Sequence, residues 1–376
     1  MPTLPERFLR RAMRLASRGF GQTSPNPMVG ALLVKGGEII GQGWHRRAGE
    51  PHAEIEALRD AQKKGNATRG ATLYVTLEPC CTTGRTPPCT QAIIAAGVTR
   101  VVAGATDPNP AHCGKGFRLL RRAGIAVTSG ILARECEQLN EAFNHWVVHH
   151  TPLVTVKAAM TLDGKIATAT GESKWITSPA ARLEAMQMRR GADAILVGIN
   201  TVLADDPSLT FRAVGKRQNT PQPRKDLRRI ILDANARTPL TAKVVTDMQA
   251  DLTTIVISRS APPRRARALG RKVQVWTAPA RDGKIDLRWL LQKLGSQDIT
   301  SLLVEGGGEI NAFFLFSGLA NRVAFFYAPK ILGGSNSRKA VAGKGAGRLD
   351  EIIQLENVKW RRIGPDWLLE AEVALR

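Results

Sequence analysis

Thr72-Leu73-Tyr74-Val75-Thr76-Leu77-Glu78-Pro79-Cys80 decides how the first half of this 376-residue chain folds. Residues 72–77 are apolar and β-branched, as a buried strand requires. The strand runs into a carboxylate, a proline and a thiol. After a loop closed by Pro87-Pro88-Cys89, the pattern turns helical over 90–96 until Gly97 stops it. Working outward, 98–103 is a further strand, 117–123 a helix, 125–128 a short strand and 132–148 a longer helix. Upstream, strands at 29–34 and 38–43 are joined through Gly36-Gly37, a two-residue hairpin signal. Residues 53–62 form a helix, with Pro51 acceptable near its first turn. Phe8, Leu9, Ala12, Leu15 and Ala16 recur at helical spacing before Gly19. One hairpin followed by alternating strands and helices predicts an α/β sandwich.

His149-His150-Thr151-Pro152 ends that pattern, because proline disfavours helix in the residue before it. The boundary falls there, giving domains 1–150 and 151–376, in line with about 150 residues per domain. The second half carries strand-like runs at 153–159, 194–197, 229–232, 254–257, 273–276, 301–304 and 322–327. Helical patterns lie between several of them, at 179–190 and 287–294 among others. This is a second α/β domain. Residues 216–225 are polar with two prolines and are expected to form an exposed loop. Residues 333–347 are rich in Gly, Ser and Lys and are expected to be mobile.

Pro51-His52-Ala53-Glu54 precedes Glu78-Pro79-Cys80, and Cys89 follows nine residues after Cys80. One imidazole and two thiolates suit Zn²⁺ and leave a fourth position for water. Zinc deaminases use this donor set, with a non-ligand Glu that moves protons, in the pattern H-x-E followed by P-C-x-x-C. The first part matches here and the second is stretched. Cys81 adjoins Cys80, so the ligand pair is Cys80 and Cys89. Two residues along a helix turn through about 200°. His52 and Glu54 can therefore share one metal only at an irregular helix start, which Pro51 favours. Cys81, Cys113 and Cys136 read as packing residues.

The chain is 43% hydrophobic and 23% charged, which excludes disordered and fibrous classes. No run approaches eighteen consecutive apolar residues, so no membrane span is expected. Arg7, Arg10, Arg11 and Arg14 interrupt the N-terminal apolar residues, unlike a signal peptide, so a cytoplasmic protein is expected. In that compartment the five cysteines point to metal or catalysis rather than disulfides. The net charge is +22. Residues 1–150 hold 19 Lys and Arg against 11 Asp and Glu, and the remainder 35 against 21, so there is no single basic tail. A nucleic-acid partner is one reading of that charge. With 5% aromatics and no basic–aromatic repeat, an anionic small substrate is the preferred one. A homo-oligomer is expected.

At Ser24-Pro25-Asn26-Pro27-Met28-Val29-Gly30, His52-Ala53-Glu54, Thr76-Leu77-Glu78-Pro79-Cys80 and Gly84-Arg85-Thr86-Pro87-Pro88-Cys89, the chain resembles the deaminase domain of the bifunctional riboflavin-biosynthesis deaminase/reductases. The eight-residue gap between the cysteines is that family's, not the two-residue gap of base and nucleoside deaminases. The resemblance implies a cytidine-deaminase-like α/β/α sandwich. It also implies zinc on His52, Cys80 and Cys89, with Glu54 as proton shuttle in hydrolytic deamination of a phosphoribosylamino-pyrimidine. One departure stands out. The family usually has a His two residues after the first cysteine, where this chain has Thr82.

Four further motifs resemble the family's reductase domain, which has a dihydrofolate-reductase-like α/β fold. They are Lys157-Ala158-Ala159-Met160-Thr161-Leu162-Asp163-Gly164-Lys165, Gly171-Glu172-Ser173-Lys174-Trp175-Ile176-Thr177-Ser178, the run from Gly198-Ile199-Asn200-Thr201 to Asp205-Asp206-Pro207-Ser208-Leu209, and Leu303-Val304-Glu305-Gly306-Gly307-Gly308. The resemblance implies NADPH-dependent conversion of the ribosyl moiety to ribityl. Cofactor contacts would be Ala159, Trp175, Thr201, Asp205, Gly307 and Gly308. Substrate contacts would be Ser173, Arg189, Leu209, Arg212 and Glu305, the two arginines clamping phosphate. Asp205 either assists proton transfer near the nicotinamide or orients the cofactor. Two other classes compete with this reading. One is a zinc deaminase of nucleic-acid bases with a C-terminal binding domain. The other is a zinc-stabilised interaction protein, for which no fourth ligand is evident near Cys80 and Cys89.

Overall fold

A computed structural model describes residues 2–83, 87–212, 226–281 and 283–374. Gly84, Arg85 and Thr86, and the expected loop at 216–225, lie outside them. The chain forms two compact units, Met1–His150 and Thr151–Arg376.

The first unit runs α1 (Leu4–Ala16), β1 (Gly30–Lys35), β2 (Glu38–Trp44), α2 (Ala53–Lys63), β3 (Thr72–Leu77), α3 (Cys89–Ala95), β4 (Arg100–Ala105), α4 (Lys115–Arg122), β5 (Ala126–Ser129), α5 (Ala133–Leu139) and α6 (Glu141–His149). The sheet order is β2-β1-β3-β4-β5. β1 is antiparallel to β2 and β3, whereas β3, β4 and β5 are parallel. Gly36 and Gly37 both take positive φ, +59° and +84°, as a tight hairpin turn needs. Both sheet faces are buried, and the period of two divides them. Leu32, Val34, Tyr74 and Val102 pack on Leu9, Ala12 and Leu15 of α1. Ala31, Leu33, Leu73 and Val75 face the other way, in one cluster with Ala57 and Ala61 of α2, Ile93 of α3 and Leu120 of α4. The result is the α/β/α sandwich. The single helix expected over 132–148 is two, broken at Asn140. The Asn140 Oδ1 accepts from the Met28 N–H at 2.7 Å, and its Nδ2 donates to the Met28 carbonyl at 3.0 Å. That pairing is with a residue 112 positions away, so local periodicity carries no sign of it.

The second unit runs β6 (Leu153–Thr161), β7 (Lys165–Ala167), α7 (Pro179–Gly191), β8 (Ala194–Gly198), α8 (Ile199–Asp205), β9 (Arg228–Leu232), α9 (Lys243–Thr246), β10 (Thr253–Ser258), α10 (Pro263–Gly270) and β11 (Gln274–Ala278). It continues through β12 (Ala280–Arg281), β13 (Lys284–Ile285), α11 (Leu287–Gly295), β14 (Ser301–Val304), α12 (Gly308–Phe316), β15 (Arg322–Ala328), β16 (Arg338–Lys339), β17 (Leu355–Ile363) and β18 (Asp366–Val373). Its nine-stranded sheet has the order β11-β10-β9-β8-β14-β6-β15-β18-β17. Neighbours from β11 to β15 pair in parallel, and β18 and β17 close the edge antiparallel. Val156, Leu196, Ile230 and Val304 point to the α11 and α12 side. Ile195, Val197, Ile231 and Ile255 point to the opposite layer.

Two further features differ from the sequence expectation. The β17–β18 hairpin was not foreseen, because β17 is an exposed edge strand carrying Glu356, Lys359, Arg361 and Arg362 rather than an apolar run. The segment 333–347, expected to be mobile, is anchored. Asp163 accepts from the N–H groups of Leu332 and Gly333 at 3.0 and 2.8 Å, β16 pairs with β7, and Asn311 Nδ2 donates to the Ala340 carbonyl at 2.8 Å. Among the described residues no helix is long and apolar enough to cross a membrane.

Candidate active sites

In the first unit, parallel strands β3 and β4 end side by side, and ligands of open α/β sheets bind beyond such ends. His52 is the N-cap of α2, with extended φ and ψ of −70° and 164°. That non-helical residue resolves the 200° problem: His52 stands outside the helix while Glu54 lies in its first turn. Cys80 follows β3, and Cys89 is the first residue of α3. The His52 Nδ1 lies 3.5 Å from Cys80 Sγ and 3.3 Å from Cys89 Sγ, and all three donor atoms fall within 4.8 Å of one another. A tetrahedral zinc, with Zn–S about 2.3 Å and Zn–N about 2.0–2.1 Å, sets neighbouring ligand atoms about 3.5–3.8 Å apart. The three side chains therefore fit zinc. Hydrogen bonding from Cys89 and from His52 holds the Cys80 thiol down to about 4, while the Cys89 thiol, bonded to the Cys80 sulfur and buried, is pushed up.

Glu54 is 4% exposed. Burial first, and the neighbouring Cys80 second, lift its carboxyl to about 7. A group so placed can take and return a proton near neutral pH.

A cavity of about 210 Å³ opens beside these residues. Asn26, His45, Asp107, Asn109, His112 and Phe143 line it along with His52, Glu54, Glu78 and Cys80. Of the first six, Asn26 stands in a motif quoted from the sequence, and the other five were not singled out. His45 Nδ1 lies 3.1 Å from the Pro51 carbonyl, which can only accept, so that nitrogen carries the hydrogen. Its Nε2, 3.1 Å from Asn26 Nδ2, then accepts from the amide, and burial lowers the ring's pKa. Glu78, 5% exposed, accepts from the N–H groups of Asp107, Gly114 and Phe117 and fixes the loop after β4. Pro25-Asn26-Pro27 recurs as Pro108-Asn109-Pro110, and that repeat is the one signal that could have drawn attention to Asn109.

In the second unit a cleft of about 940 Å³ lies at the carboxyl ends of β6, β8 and β14. Ala159, Ser173, Thr201, Asp205, Glu305, Gly307 and Gly308 line it. Trp175, Arg189, Leu209 and Arg212 are not among its lining residues. Trp175 is 66% exposed and stacks under Arg182, whose guanidinium carbon is 4.4 Å from the ring centroid. Leu209 is buried at positive φ, and Arg212 is exposed. Lys157 and Asn200 line the cleft and were not assigned from sequence, although both stand within the quoted motifs. Gly307 is the N-cap of α12, whose first-turn N–H groups have no acceptor within the helix and suit phosphate oxygens. A Cβ on Gly308 would sit 2.1 Å from the Lys339 carbonyl, so only glycine permits that close approach. The cleft therefore fits a nucleotide cofactor. Lys174 Nζ is 3.7 Å from Asp205.

Arg189 is already paired. Its Nε and Nη2 donate to Glu305 at 2.8 and 2.9 Å, its Nη1 donates to the Thr210 carbonyl, and Lys157 Nζ is 3.7 Å from the same carboxylate. Burial pushes Glu305 up, but Lys157 and Arg189 outweigh it and hold the carboxyl at about 2. Removing one partner of a buried pair typically costs about 3–5 kcal/mol. Arg189→Ala is expected to lose that much in urea unfolding at neutral pH. Because the folded value lies below the ordinary 4.5, the pair's contribution is present above about pH 4.5 and is lost as pH falls toward about 2. The gap between wild type and variant should therefore shrink on acidification. A gap unchanged at pH 2 would contradict the pairing.

Residues 2–105 match the cytidine and deoxycytidylate deaminase zinc-binding region, and residues 152–369 match the RibD C-terminal domain. The riboflavin biosynthesis protein RibD of Actinobacillus pleuropneumoniae is 43% identical over 366 residues, covering 96% of this chain and 94% of its own length. The chain belongs to the RibD family. The Escherichia coli RibD is 41% identical, over 96% of this chain and 97% of its own. Among solved structures, Acinetobacter baumannii RibD superposes with a TM-score of 0.86 at 35% identity, covering 99% of both chains. The Thermotoga maritima diaminohydroxyphosphoribosylaminopyrimidine deaminase/5-amino-6-(5-phosphoribosylamino)uracil reductase gives 0.82 at 36%, again over 99% of both. As a RibD-family member the chain is a bifunctional deaminase and reductase of riboflavin biosynthesis, with zinc and NADPH as cofactors. The nucleic-acid deaminase alternative is not favoured, since its second domain would have to be a binding module and is a RibD reductase domain instead.

Proposed function

We propose that the unit 1–150 deaminates 2,5-diamino-6-(5-phosphoribosylamino)pyrimidin-4-one, and that the unit 151–376 then reduces the ribosyl arm of the product to ribityl. The clustering of the His52, Cys80 and Cys89 donor atoms, beside a cavity that His52, Cys80 and buried Glu54 line, carries the first half of this reading. Zinc held by the imidazole and two sulfurs supplies, when bound, the Lewis acidity that makes water nucleophilic near neutral pH. Glu54 accepts the proton that water gives up. It delivers that proton to the ring nitrogen, then takes the second proton from the same oxygen, now bound to the ring, and delivers it to the amine, which leaves as ammonia while a carbonyl remains on the ring. His45 and Asn26, together with Asp107 and Asn109 of the loop after β4, line the cavity around the reacting groups.

In the second unit, NADPH supplies a hydride when bound. Ala159, Trp175, Thr201, Asp205, Gly307 and Gly308 are assigned to the cofactor. Ser173, Arg189, Leu209, Arg212 and Glu305 are assigned to the substrate. With Arg189 committed to Glu305, its part in phosphate binding is to complete a fixed Lys157–Glu305–Arg189 cluster rather than to act as a free clamp. Asp205 lies on the cleft wall, where it either assists the proton transfer or orients the cofactor. We place the chain in the cytoplasm, where its five free thiols stay reduced. We also read it as a homo-oligomer, which the exposed Val358 and Trp360 on edge strand β17 support.

The test is ammonia release from the phosphoribosyl-pyrimidine against release from single-stranded RNA. The proposal expects ammonia from the first alone. Release from RNA at a comparable rate would overturn it.

A further inference from the structure

Asp163 is not among the residues that line the reductase cleft, but the segment it holds is. Its carboxylate accepts from the start of the strap 332–343, and Ser337, Arg338, Lys339, Ala342 and Gly343 of that strap line the cleft. We infer that Asp163 is a positioning residue of the reductase: it holds the strap in place as a wall of the cleft and so sets how tightly NADPH binds. This rests on reading the cleft as the cofactor site.

Three observations carry it. First, the carboxylate is itself fixed. Thr161 Oγ1 donates to Asp163 Oδ1 at 2.6 Å and accepts from the Lys165 N–H at 3.0 Å, so the turn between β6 and β7 presents the acid in one orientation. The Thr161 hydroxyl first, and the Leu332 N–H next, hold the carboxyl at about 2, so it is ionised throughout the physiological range. Second, it catches the strap where nothing apolar does. Oδ1 accepts from the Leu332 N–H at 3.0 Å and Oδ2 from the Gly333 N–H at 2.8 Å. Ile331 just before them is 78% exposed, and Gly333 and Gly334 just after take positive φ, so the direction of the chain here is set by charge-assisted backbone bonds and not by packing. Third, beyond that root the strap is stitched to the cleft. The Ala340 N–H donates to the Gly164 carbonyl at 3.0 Å and the Ala342 N–H to the Gly308 carbonyl at 3.1 Å. The Lys339 carbonyl fills the place that a side chain on Gly308 would take. The strap thus crosses the start of α12, and Arg338 and Lys339 put two cations on the wall of a cleft that takes a polyanion.

The experiment compares wild type, Asp163→Asn and Lys339→Glu as full, zinc-loaded chains. Each is measured for NADPH binding by calorimetry and for NADPH oxidation with deaminated substrate, and ammonia release and the thermal midpoint are recorded beside them. Asparagine keeps the size of the side chain but offers one acceptor oxygen in place of two and no charge. Loss of one charge-assisted hydrogen bond at an exposed position corresponds to about a tenfold change in affinity. We expect the Kd and KM for NADPH to rise by about that factor in Asp163→Asn. The kcat at saturating NADPH, the KM for deaminated substrate and ammonia release should stay within about twofold of wild type. Lys339→Glu, which inverts a charge on the cleft wall, should also weaken NADPH. Unchanged NADPH affinity in Asp163→Asn beside weakened affinity in Lys339→Glu would overturn the positioning role and leave the cofactor site standing. A fall in kcat and thermal midpoint with no change in the KM for NADPH would make Asp163 merely structural and also overturn it. If neither variant alters NADPH binding, the reading of the cleft as cofactor site falls and the inference with it, a distinguishable result.

Discussion

Glu54→Gln is expected to keep its zinc and lose deamination by about 10²–10⁴ in rate, the usual contribution of a positioned general acid–base group. The metal should stay because the three donor atoms that cluster belong to His52, Cys80 and Cys89, and the Glu54 carboxylate is not among them. The activity should go because the substitution removes a carboxyl that burial and the neighbouring Cys80 lift to about 7, and an amide cannot exchange that proton. Bound zinc and ammonia release must be measured on the same preparation. Normal deamination would remove Glu54 from its role as shuttle. Loss of zinc would mean that the ligand set is wrong.

Cys80→Ser should abolish deamination and leave reduction of the already deaminated substrate largely intact. Cys80 carries the lowered thiol of the sulfur pair and accepts from the Cys89 N–H at 3.3 Å, so its loss removes both a ligand and the brace between β3 and α3. The reductase cleft is lined entirely by residues of the second compact unit. NADPH consumption with deaminated substrate is the readout. Its collapse in a variant that stays folded by circular dichroism would show that the two activities cannot be assigned to separate units.

The metal triad was legible in the sequence because zinc chemistry restricts residue type and order together. Three donors and one buried carboxylate around a strand–loop–helix leave few other uses for those side chains. The rest of that cavity was not legible. His45, Asp107 and His112 come from loops that only the pairing of β1, β3 and β4 brings together, and nothing local marks them. His112 in particular has no motif of its own. In the second unit the motifs after β6, β8 and β14 pointed to the cleft because parallel strands all end on one side. The motif around Trp175 only partly did, since Ser173 lines the cleft and Trp175 does not. Arg189 was read as a phosphate clamp, and its ion pair was not visible in the sequence, because Glu305, which takes two of its donors, lies 116 positions away. The β17–β18 hairpin escaped notice for a related reason. An exposed edge strand buries too little to impose a period of two on its sequence.

The measurement closest to the central claim is stoichiometry on the zinc-loaded full chain, given the diaminopyrimidine substrate and NADPH together. Two consecutive reactions at two sites predict one ammonia released per NADPH oxidised at completion, with NADPH oxidation lagging behind ammonia in the early phase. Omitting NADPH should leave ammonia release intact, whereas Glu54→Gln should suppress both signals, and supplying deaminated substrate should restore NADPH oxidation alone. NADPH oxidation by Glu54→Gln with the undeaminated substrate, at the wild-type rate and without ammonia, would contradict the account.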